Sequence, residues 1–94
     1  MTDTPAPEDG AEIRLTPDEA IVLFDLLSRW SGSGDDDTPK DTCFENTAEC
    51  AVLHGLLGEL EKQLVAPFKP NYGEMVDAAR GRLAGNWDGA TLRA

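Results

Sequence analysis

Three side chains near the middle of the chain could hold a soft metal or act as a nucleophile pair: Cys43, Cys50 and His54. On a helix, Cys50 and His54 stand four residues apart and share a face, with Cys43 just upstream. Zinc would need a fourth ligand, for which only Glu45 or Asp41 is near, and structural zinc sites use tighter Cys or His pairs. As a Cys–His nucleophile the pair lacks an identifiable orienting group and oxyanion pocket. The plainer reading is a buried Cys50 and a surface His54. A small metal or redox module built on Cys43, Cys50 and His54 is kept as an alternative.

The remaining polar residues suit catalysis poorly. His54 is the single histidine, so Ser28, Ser31 and Ser33 have no second histidine-based setting. Glu59 and Glu61, two apart on a helix, do not face each other and make a poor acid–base pair. Glycines 32, 34, 55 and 58 fit no phosphate-binding fingerprint. Asp35, Asp36 and Asp37 are consecutive, whereas a calcium loop alternates its ligands and closes with a bidentate Glu. The expectation is a protein that is not an enzyme, with no catalytic residue, no cofactor and no metal.

The elements that carry these residues are marked by helix-capping patterns. Thr16-Pro17-Asp18-Glu19 has a capping Thr, a Pro in the first turn and a Glu three residues on. Asn46 with Glu49, and Asn71 with Glu74, repeat the pattern. Together with apolar residues at three- and four-residue spacing, they predict an all-α fold. It is a small three-helix domain with helices over about 17–30, 47–66 and 72–84. An extended N-terminal lead, an acidic loop over 31–42 and a short C-terminal tail complete it. Residues 1–10 read as a disordered acidic lead and 11–94 as a single helical domain. Ile13 and Leu15 are expected to anchor the extended segment before the first helix, for which a short strand is the alternative.

The segment from Asn46 to Pro67 is taken as the long helix onto which the others pack, with the third helix antiparallel to it. Leu53, Leu56, Leu57, Leu60 and Leu64 form its core-facing stripe. Ala51, Gly55 and Gly58 form a strip of small residues on which another helix or chain segment is expected to pack closely. The first helix is apolar on more than one side, which places it either at the centre of the fold or in a subunit interface. Phe68 is expected to plug the core at the turn after Pro67, and Gly85 to end the third helix.

The formal net charge is −10. Residues 1–45 hold twelve carboxylates against Arg14, Arg29 and Lys40, whereas residues 67–94 are nearly balanced. Such a chain repels phosphate backbones and anionic bilayers, so the expected partners exclude direct nucleic acid and membrane. A basic protein would be drawn to it, faster at low salt than at high. The first ten residues show no signal-peptide pattern and no apolar run reaches membrane-spanning length, which reads as cytoplasmic with reduced thiols.

In size and acidity the chain resembles immunity proteins, antitoxins and phage-encoded inhibitors, a likeness of composition that brings no functional residue with it. The leading expectation is therefore a non-catalytic acidic protein-binding module that docks on a basic partner and inhibits or regulates it. Its partner-binding residues would be Asp18, Glu19, Asp25, Asp35, Asp36, Asp37, Asp41 and Trp87. The alternative from another class is a structural homo-oligomer, a homodimer for instance, joined through the apolar Ala20–Leu27 segment.

Overall fold

The computed structural model describes residues 8–32 and 38–93. Among them lie three α-helices and no strand: α1 Pro17–Ser31, α2 Thr47–Gln63 and α3 Tyr72–Ala84. Two 3-10 turns, Asp41–Cys43 and Ala66–Phe68, precede α2 and α3 respectively. Asp35, Asp36 and Asp37 lie outside the described residues.

Helix α1 begins with a complete capping box. The Glu19 N–H donates to Thr16 Oγ1 at 3.1 Å, and the Thr16 N–H donates to Glu19 Oε1 at 2.8 Å. Such a cap satisfies two backbone donors that the helix leaves open, an effect of about 1 kcal/mol. At α2 the pattern is shifted by one residue. Asn46 Oδ1 accepts from the Ala48 N–H at 2.7 Å, but Glu49 reaches back to the N–H of Glu45 instead of that of Asn46. The third box does not form. Asn71 makes no side-chain cap bond, because its backbone (φ −97°, ψ 24°) is not in the extended geometry from which a cap side chain reaches the N2 or N3 N–H.

Helix α2 stops at Gln63, short of the expected residue 66. The reason is Pro67: it has no N–H for the Gln63 carbonyl four residues back, and its ring would collide with that carbonyl. Leu64 leaves the helix extended, and the chain re-forms as the 3-10 turn Ala66–Phe68. With about three residues per turn, Ala66 and Phe68 point about 120° apart. Ala66 is turned towards the core and Phe68 is 81% exposed, so Phe68 does not plug the turn.

The hub of the fold is α1, not α2. Helices α2 and α3 each pack on α1 and make no comparable contact with each other, so α3 is a neighbour of α1. The core is accordingly in two pieces. Ala20 and Leu27 meet Leu57 and Leu60 of α2, with Leu53, Leu64 and Trp30 half-buried around them. Ile21 meets Val76 and Ala79 of α3, flanked by Tyr72, Met75 and Ala66. The apolar Ala20–Leu27 segment is thus wide because it serves two helices within one chain.

Several apolar residues stay outside both clusters. Leu56 lies at the edge of the stripe and is 37% exposed, and Ile13 is bare, so the lead is extended but held only partly, by Leu15. The strip of Ala51, Gly55 and Gly58 is not packed by another helix: Ala51 is exposed, and a methyl added at either glycine would meet nothing within 4 Å beyond its own helix backbone. The chain exposes 8012 Å², against roughly 5,300 Å² for a folded monomer of 10.1 kDa. Ile13, Val52, Val65, Phe68, Trp87 and Leu92, each more than half exposed, contribute to that surface.

Candidate functional site

Two of the carboxylates singled out on α1, Asp18 and Asp25, lie along the α1–α3 seam. Asp18 takes both a Nε and an Nη donor of Arg82, at 2.7 and 2.8 Å, the two-pronged geometry that only arginine offers. That bond holds the Asp18 carboxyl below its ordinary range and the Arg82 guanidinium above its own. Asp25 is a hub: it accepts from the Tyr72 hydroxyl at 3.0 Å, from Arg29 at 3.0 Å, and from Arg80. Arg80 is held in turn by Asp77 at 2.8 Å. Burial first, and then the bond to Asp25, push the Tyr72 phenol up to about 12. Phe24 meets the Tyr72 ring edge to face, with centroids 6.3 Å apart. Glu19 belongs to the α1 cap. Asp18, Glu19 and Asp25 are therefore already partnered within the chain.

Asp41 opens the first 3-10 turn and is exposed. Trp87 is 56% exposed and sits beside Val22, Leu83 and Ala84 in a shallow depression whose polar members are Glu19, Arg80 and Asn86. Trp87 and Asp41 are not brought together. Cys43 and Cys50 are free thiols, the first exposed and the second half-buried, and His54 is exposed. Cys50 and His54 line a small cavity of about 140 Å³ with Trp30, Phe44, Leu27 and Leu53, closed on one side by Thr38 and Asp41. The Thr38 hydroxyl donates to the Trp30 carbonyl at 2.8 Å and fixes the end of α1 there. Among the described residues, no three His, Cys, Asp or Glu side chains are grouped to hold a metal ion.

The feature the motifs did not reveal is a larger groove, with about 640 Å³ of open volume. Because α2 and α3 splay over opposite sides of α1, the gap between them is not closed. Its floor is the start of α1, Pro17 and Ile21. One wall is the end of α2 and the turn after it, Gln63 to Ala66, and the other is a stripe of α3. That stripe, Asn71, Glu74, Met75, Ala78 and Arg82, runs at helical spacing beside the buried Val76 and Ala79. The lining is mostly apolar, and its charges are Asp18, Arg82 and Glu74. Asp18 and Arg82 neutralise each other, whereas Glu74 has no partner among the described residues. Val65, 69% exposed, extends the apolar surface along the rim. The one signal in the sequence was the uncharged run QLVAPF, residues 63–68, in a chain rich in charge.

No protein-family model, no curated protein and no solved structure matches this chain. Among the described residues no helix is long and apolar enough to cross a membrane.

Proposed function

We propose that this chain is a non-catalytic acidic binding module that docks on a basic protein and inhibits or regulates it, as immunity proteins, antitoxins and small inhibitors do. The observation that carries the reading is the open, mostly apolar groove between α2 and α3 on a chain of net charge −10. Apolar contact supplies affinity, and the excess of carboxylate speeds encounter with a basic surface and disfavours acidic competitors. Since Asp18, Glu19 and Asp25 are tied into the fold, the reading gives the steering role to the exposed Asp41 and to Asp35, Asp36 and Asp37, which lie outside the described residues, and keeps Trp87 as a candidate contact. The test is capture of partners from a lysate of the source cells at low and at high salt. The reading expects a basic protein retained at low salt and released at high; retention of a partner indifferent to salt counts against it.

A second reading, self-association, draws on a separate observation. Val52, 69% exposed, and Leu56 stand on a face of α2 beside the open Gly55. The Ala20–Leu27 segment packs on two helices within the chain, so this reading assigns the subunit contact to that face of α2 instead. Light scattering decides, since a strict monomer at high concentration removes this reading.

A further inference from the structure

We infer that the groove between α2 and α3 is the seat for about three turns of a basic, amphipathic helix from the partner, an inference that rests on the binding role proposed above. The wall of α3 from Asn71 to Arg82 is eleven residues in rise, or about 16 Å. A helix of that length and about 10 Å across occupies roughly 1,250 Å³. The groove, at about 640 Å³, is too small to enclose such a helix, so one face would be seated and the other left in water. Leu64, Met75 and Ala78 present apolar surface on the two walls above the nearly buried Ile21, matching side chains that recur every three or four residues on the incoming helix. The small Ala78 is exposed and leaves room for a bulky anchor. Charge selects the sign of the occupant's outer face. Glu74, on the α3 wall, has no partner among the described residues, the Asp18–Arg82 pair adds no net charge, and the whole chain is −10. A second copy of this chain would bring the same −10 into the groove.

The experiment uses the full chain and two synthetic twelve-residue peptides with leucines at the first, fourth, fifth, eighth and twelfth positions. One has lysine elsewhere, the other glutamate. Fluorescence anisotropy should show the lysine peptide binding at least about tenfold more tightly than its twin. Ala78→Trp, which fills the groove from an exposed position, should weaken that binding by about tenfold or more with unchanged circular dichroism. Glu74→Lys should weaken it too, and serves alone should Ala78→Trp disturb the fold. Val52→Asp, on the other apolar face, should leave it within about twofold. Equal binding of both peptides, indifference to Ala78→Trp and Glu74→Lys, or loss through Val52→Asp would each overturn the assignment. So would a dimer of the free chain that Ala78→Trp dissolves, since a second copy would then be the occupant. These failures leave the salt-dependent capture standing, so the seat and the binding role are judged separately.

Discussion

Tyr72 is the only tyrosine in the chain, so one absorbance titration reads its hydroxyl without ambiguity. In the folded protein the phenol donates to Asp25 and its pKa is raised from 10.0 to about 12, with burial the larger cause and Asp25 the next. Replacing Asp25 by Asn keeps an acceptor but removes its charge. The midpoint should therefore fall only part of the way towards 10, because burial beside Phe24 remains. The linkage has a definite sign. A folded pKa above the unfolded one means the folded state holds the proton more tightly. The corresponding stability is fully present below about pH 10 and is lost as pH rises through about 12. Tyr72 is partly open to water, so this stability is well below what the full shift would give, about 1 kcal/mol. Asp25→Ala goes further, stranding the hydroxyl and loosening Arg80 and Arg29. That cost is about 2 kcal/mol, enough to lower Tm by roughly 10 °C in a domain of this size. The assay is near-ultraviolet absorbance against pH, paired with thermal melts at neutral pH. A tyrosine that ionises near 10 in the folded protein, with a midpoint unmoved by Asp25→Asn, would refute the reasoning.

Other expectations follow from the same geometry. Gly55→Ala and Gly58→Ala place a methyl in open space inside a helix, so each should stabilise by about 1 kcal/mol and raise Tm; a loss of stability would mean that something packs there after all. Leu27→Ala empties the best-buried leucine of the α1–α2 cluster, 2% exposed, and should cost about 3 kcal/mol in denaturant melts. The Asp18 carboxyl is held below its ordinary value by Arg82, so its contribution is present above about pH 4 and disappears as pH falls through the lowered value. The stability gap between the native chain and Asp18→Asn, followed by urea melts, should accordingly shrink in acid.

The helices were legible because their starts are local events. A Thr, a Pro and a Glu within four residues specify the α1 cap from one stretch of backbone, and both hydrogen bonds of that box form. What lay further apart was not legible. Asp18 meets Arg82 and Asp25 meets Arg80 across more than fifty residues, so carboxylates that looked free in the sequence are tied into the fold. The hub was misplaced for a similar reason: leucine spacing shows that α2 has a buried face, but not that α1 lies between its two neighbours. The packing role expected of Gly55 and Gly58 failed because small residues permit close approach without requiring it. The groove depends on the angle at which α2 and α3 part over α1, a tertiary quantity that no local pattern encodes. Its wall on α3 could be read only as a second stripe beside Val76 and Ala79, and Pro67, which ends α2 early, shapes the other wall.

The central claim is that this chain is an acidic module whose uncovered apolar surface receives a basic protein. Its most direct test is capture from a lysate of the source cells with the native chain and Ala78→Trp as parallel baits, each at low and high salt. The account predicts one basic protein held by the native chain at low salt, shed at high salt and absent from the filled-groove variant. A partner held equally by both baits at both salt concentrations would contradict it.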